Sequence, residues 1–224
     1  MKLQHYSLEN CVDFALSPIW TLVCENTQQF CELTGDMYRQ THQGEGKWGL
    51  FDGKQLDISK RLCYISDYHS LSFADKKASN LLQDKLQALA FSEDYTIATH
   101  EILSQLTRFA QRLAEDLDFP TSVKDPDVAT LLKMVGVSLL DESNNLCEKL
   151  VDYVTLLSRL TVTNVVVCVN LRSYLSDTEQ EQLFAHCMQC DINLLCIESF
   201  YRQRLQGECI LVSDADLCEF YPNA

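Results

Sequence analysis

The residues best placed for chemistry lie in Asn164 to Glu179, NVVVCVNLRSYLSDTE, where five apolar residues run straight into Asn170. A nucleotide-hydrolysing fold needs a magnesium-holding carboxylate at the end of such a strand. This chain offers an amide, the guanidinium of Arg172 and hydroxyl groups instead. A phosphate loop requires G-x-x-x-x-G-K-S/T between a strand and a helix, so that glycine amides and the lysine surround the phosphates. Gly46-Lys47 is followed by tryptophan, and Gly53-Lys54 falls at the tip of a hairpin. Where the loop belongs, the chain reads Cys24-Glu25-Asn26-Thr27, with a carboxylate that repels phosphate. ATP hydrolysis is therefore not expected, and neither is a bound nucleotide.

Other reactive groups are scattered. His5, His42, His69, His100 and His186 are dispersed, and no G-x-S-x-G elbow exists, so nucleophilic catalysis has no sequence support. The eleven cysteines are an odd number spread mostly through apolar runs, which suits reduced core residues rather than a disulfide framework. Cys187 and Cys190, beside His186, form the one C-x-x-C; without a second ligand pair a zinc site is not expected. Glu115, Asp116, Asp118, Asp125 and Asp127 place five carboxylates, offset by Lys124, in a Pro-interrupted stretch. Hard oxygen ligands on a loop suit calcium, although the spacing is not that of an EF-hand and acids at helix ends also serve as caps.

These groups need elements to hold them. Val165 to Val169 suits a strand covered on both faces, and Ser176 with Glu179 has the spacing of a capping box that opens a helix reaching about Cys190. Trp20 to Glu25 reads as a strand, and Asn26 caps a helix through Phe30, Leu33 and Met37. Glycines cluster between Gly44 and Gly53, which predicts a short hairpin with Asp52-Gly53 at its tip, followed by a strand at Arg61 to Ser66. From about Phe73 the pattern turns helical. Leu82, Leu86 and Leu89 form one narrow seam and Ile102, Leu106, Phe109 and Leu113 another, which predicts an antiparallel pair of helices. A short helix through Leu131 and Leu132 stops at Gly136, a helix carries Leu146, Leu150, Val154 and Leu157 on one face, and strands follow at Val165, Leu194 and Ile210. The expected organisation is a discontinuous α/β head, residues 1–72 and 137–224, with an α-helical leg, residues 73–136, inserted in it.

At 224 residues and 46% apolar content the chain can bury a large core. No segment has the roughly 20 apolar residues of a membrane span, and the amino terminus, MKLQHYSLENC, shows no apolar leader, so a cytoplasmic protein without a membrane partner is expected. The formal net charge of −14 disfavours nucleic acid as a partner of a monomer. Its distribution is uneven. Between Arg39 and Lys77 seven bases face five acids, so that segment is net positive while the remainder is strongly acidic.

Several stretches together resemble the small ring-forming adaptation protein of type II-A CRISPR-Cas systems. They are the Trp20 to Asn26 strand with its helix, Leu50-Phe51-Asp52-Gly53-Lys54, Leu132-Lys133-Met134-Val135-Gly136-Val137, and Val169-Asn170 followed by Tyr174-Leu175-Ser176 and Glu179. The resemblance implies a P-loop-ATPase-like head with a degenerate nucleotide site and an inserted helical domain. It implies a non-enzymatic homotetrameric ring that holds calcium and accepts double-stranded DNA ends in its hole, working with the adaptation integrase and the RNA-guided nuclease. The family's calcium ligands lie in the acidic turn and the short helix after it, which points to Glu115, Asp116, Asp118, Asp125 and Asp127. The helix itself reads Val128-Ala129-Thr130-Leu131-Leu132-Lys133 and has no carboxylate to add. No matched motif fixes the basic groups of the channel, so Lys47, Lys54, Lys60, Arg61, Lys76 and Lys77 are candidates from local charge alone. A protein-binding scaffold and a divergent P-loop hydrolase are the competing readings.

Overall fold

A computed structural model describes residues 1–72, 76–140, 143 and 145–222, with the backbone alone at 76–78. The chain begins with β1 (Lys2–His5), β2 (Val12–Asp13), β3 (Ile19–Cys24) and α1 (Thr27–Thr41). Next come β4 (Trp48–Asp52), β5 (Lys54–Leu56), α2 (Ile58–Arg61) and β6 (Leu62–Ile65). Three helices follow: α3 (Lys76–Ala90), α4 (Thr96–Glu115) and α5 (Val128–Val135). The remainder is α6 (Leu146–Leu160), β7 (Val165–Val169), α7 (Asp177–Gln189), β8 (Asn193–Glu198), β9 (Glu208–Ser213) and β10 (Glu219–Phe220). By internal packing the chain divides into an α/β unit, Met1–Leu71 with Glu142–Ala224, and a helical unit, Ser72–Asp141. The sequence boundary at residue 73 falls outside the described residues.

In the α/β unit six strands run in the order β10-β9-β3-β8-β7-β6, all parallel except β10. All five residues of β7 are buried. Its period of two explains how: Val165 and Val167 enter one core with Trp20, Leu33, Trp48 and Leu50, whereas Val166 and Cys168 enter another with Leu150, Val154, Leu183 and Phe184. Each such side chain contributes about 1.5–3 kcal/mol by leaving water. α1 thus contributes to one face of the sheet, and α6 and α7 contribute to the other. The ends of these helices are set locally. Asn26 Oδ1 accepts from Gln28 N and Gln29 N, Asn145 caps α6, and Ser176 with Glu179 forms the reciprocal capping box of α7.

A second sheet, β2-β1-β4-β5, is antiparallel, with Lys2 to His5 paired against Phe51 to Trp48. Gly53, at a φ of 71°, turns β4 into β5 with Asp52 opposite Lys54. The hairpin agrees with its glycine signal, but its partner β1 is four residues long and carries too little pattern to announce itself. At the far end of the chain the Glu219 carboxylate accepts from Glu9 N, Asn10 N and Asn10 Nδ2, so β10 pins the turn after β1.

In the helical unit α3 packs against α5, and Gln83 Nε2 donates to Val137 O. The turn from α3 to α4 is closed by Thr99 Oγ1 donating to Ala90 O. Of the expected α4 seam, Leu106 is half-buried while Ile102, Phe109 and Leu113 are exposed, and α4 buries none of its residues completely. Gly136, at a φ of 75°, ends α5 in the left-handed conformation that its sequence signal predicts. Among the described residues no helix is long and apolar enough to cross a membrane.

Candidate functional site

The carboxyl ends of β3, β7 and β8 lie where ligands bind in open α/β sheets. Here most of the polar groups are engaged with one another, Arg172 Nε being buried without a partner. Asn170, held at a φ of 52°, accepts from Ser199 N and Ser199 Oγ, both at 3.1 Å. Arg172 is buried; its N donates to Glu198 Oε1 (3.0 Å), its Nη1 to Gln203 O (3.0 Å) and its Nη2 to the Glu208 carboxylate. Glu208 also accepts from Thr21 Oγ1 and Leu205 N, each at 2.6 Å. Burial pushes the Glu198 carboxyl up to about 7, and the Arg172 N–H and the Arg172 and Arg202 charges hold that rise in check. At the β3-to-α1 junction the amides that a phosphate would use are taken by Asn26, whose Nδ2 donates in turn to Ala215 O. Asn26 thus acts as an ordinary N-cap of α1.

The basic candidates are separated in role. Lys47 Nζ lies 2.5 Å from Glu32 Oε1, and that bond raises its pKa. Arg61 Nη1 donates to Asn164 Oδ1 (2.9 Å) and Val162 O (3.2 Å), fastening the entries of β6 and β7. Lys60 makes a loose exposed pair with Asp57 at 3.5 Å, and Lys54 is exposed on β5. Lys60 borders a cleft of about 540 Å³ that is also lined by Gln40, Gln43, Trp48, Gln55 and Asp57. Lys76 and Lys77 open α3, and their side chains lie outside the described residues.

Of the acids, Glu115 ends α4, Asp116 is its C-cap, and Asp118 and Asp125 are exposed in the connection to α5. Asp127 caps α5 by accepting from Thr130 Oγ1 (2.6 Å) and Thr130 N (2.8 Å), and these bonds lower its pKa. Among the described residues no three of these five bring ligand atoms within 4.8 Å of one another; His5, Glu32 and Asp36 do. These five acids therefore do not converge on one point within a single chain, whereas calcium takes 6–8 oxygens. The His5–Glu32–Asp36 group already holds cations. His5 Nε2 lies 3.0 Å from Asp36 Oδ2, Arg39 pairs with the same carboxylate, and Lys47 occupies Glu32. Burial alone would raise Asp36; His5, the Lys47 N–H and Arg39 outweigh it and leave the pKa lowered. Sequence reasoning missed this group, although Glu32 and Asp36 stand one helical turn apart, because His5 reaches them from β1.

The sulfur chemistry is muted. Cys187 is fully buried, which lifts its thiol to about 12, and Cys190 Sγ lies 3.4 Å from His186 Nε2, which also meets Thr155 Oγ1 at 2.8 Å.

A two-unit chain of this kind, with a mostly parallel sheet and a separate set of helices, matches a known family. The model described as CRISPR-associated protein (Cas_Csn2) matches residues 42–217. The chain belongs to this family of type II-A CRISPR adaptation proteins. The crystal structure of Stu0660 of Streptococcus thermophilus is similar over 96% of this chain and 75% of that one, with a TM-score of 0.58 and 14% identity, a likeness of fold. No curated protein matches the chain.

Proposed function

We propose that the protein acts as a non-enzymatic homotetrameric ring that binds double-stranded DNA ends, independently of sequence, during spacer acquisition. The observation that carries this is the partly uncovered seam of α4, with Ile102, Phe109 and Leu113 exposed and Leu106 half-buried in the single chain. An apolar helix face of that kind favours assembly. Assembly in turn answers the charge of −14, because several copies can turn their few cations toward one axis while acids stay outside. The central place of β3, between β8 and β9 and leading into α1, supports a P-loop-like head. Its phosphate position is filled by the Asn26 cap, which supports the absence of hydrolysis. In this reading calcium binds where acids from more than one copy meet, since one copy does not gather three of them.

Mobility of linear and covalently closed DNA of one sequence, compared in calcium, tests the reading. Tighter binding of the linear form is expected; equal affinity defeats end loading. The commitment of Lys47 and Arg61 to internal bonds favours a second reading, a scaffold for the integrase and nuclease that does not touch DNA. Complex formation with those partners by a tetramer that ignores DNA at low salt would select it. Phosphate release from ATP and magnesium, abolished in Asn170→Ala, would instead select a hydrolase.

A further inference from the structure

The connection from β8 to β9, residues 199–207, reads SFYRQRLQG and contains no acid in a chain that is otherwise strongly acidic. It leaves the carboxyl end of β8, the sheet edge where α/β proteins hold ligands. Phe200 is 75% exposed and Tyr201 45%, and Arg202 and Arg204 are exposed beside them. The loop is fastened from beneath. Asn170 takes Ser199, Arg172 Nη1 donates to Gln203 O, and Leu205 N donates to Glu208. Each exposed arginine is steered by one main-chain bond, Arg202 Nη1 to Arg172 O at 2.6 Å and Arg204 Nε to Glu208 O at 2.8 Å. A guanidinium carries five N–H donors, so one such bond aims it and leaves most donors for a ligand.

Resting on the DNA reading above, we infer that this loop is a nucleic-acid contact: Arg202 and Arg204 take backbone phosphates, and Phe200 with Tyr201 stack on an exposed terminal base. Of the acids that meet the loop, exposed Glu181 accepts from Gln206 N at 3.5 Å and offsets one arginine at most, and the two buried ones do not cancel the rest. Glu208 is bound to Arg172, Thr21 and Leu205, and burial of Glu198 keeps part of its population neutral near pH 7. Arginine suits the role because its fork matches phosphate oxygens and its plane packs on aromatic faces. Stacking tolerates every base, so the contact is blind to sequence. A loop fixed by its own bonds also gives up little freedom on binding.

Anisotropy of a labelled linear duplex with a frayed end, titrated with the full chain at several salt concentrations, tests this. Wild type is compared with Arg202→Gln/Arg204→Gln and with Phe200→Ala/Tyr201→Ala, each checked by light scattering and melting. The arginine variant is expected to lower the slope of log K against log salt by about one for every phosphate it no longer neutralises. The aromatic variant should bind about tenfold more weakly with its slope intact, since stacking is uncharged. Variants that bind as wild type does overturn the loop's role and leave the DNA reading standing. A wild type that does not bind at low salt removes the DNA reading, and the loop with it. Variants whose affinity and particle mass fall together make the loop a subunit interface, which also overturns the inference.

Discussion

Glu198 sits at the end of β8 with Arg172 N as a donor, Arg202 within electrostatic reach and Glu208 opposing it. Its carboxyl titrates near 7 in the folded protein against an ordinary value of 4.5, because burial disfavours the anion. The folded state therefore holds a proton that the unfolded chain has released between about pH 4.5 and 7. Stability from this group is complete below that window and falls as pH rises through it. Glu198→Gln should remove the dependence. Denaturant unfolding is expected to show the variant gaining on wild type from pH 5 to 8 by on the order of 3 kcal/mol; parallel curves would assign the slope to the acidic surface instead. Arg172 shows how far residue types alone can mislead. As the one base beside Asn170 it looks like a ligand-binding group, yet it is buried against Glu208. Such pairing joins residues from distant parts of the chain, and spacing carries no trace of it.

At the level of elements, local signals were the legible ones. The Asn26 cap, the Ser176–Glu179 box and the Gly136 stop depend on neighbours within a few residues, and the five-residue apolar run of β7 is itself local, so the chain states them directly. The sheet containing β1 was not legible, since Lys2 pairs with Phe51 across nearly fifty positions. The α3–α5 contact was hidden for another reason: an apolar seam tells that a helix packs, without telling on what. That same ambiguity gives α4 its prediction. Ile102→Ser with Phe109→Ser removes apolar groups that are exposed in the protomer, so urea unfolding of the variant at high dilution should match wild type. Light scattering at working concentration should show a smaller particle. An unchanged particle would mean that the seam faces no other copy.

For the whole molecule, the proposed assembly has to answer the net charge of −14. In the proposed ring, exposed carboxylates around residues 115–127 would repel one another where copies met, and a dication held between them would relieve that repulsion. Chelator is therefore expected to lower both particle mass and melting temperature, and added calcium to restore them; indifference in both would remove calcium from the account. Sheet order sets a further condition. β3 is made early, but both of its hydrogen-bonded neighbours, β8 and β9, come from residues 193–213. On the ribosome, then, the central strand emerges and waits, edges unpaired, while about 170 more residues are synthesised at ≈ 5–20 residues per second. Nascent chains of this protein should depend on chaperones until β8 has emerged, and a premature stop anywhere before β8 leaves β3 cut off from the β6–β7 pair.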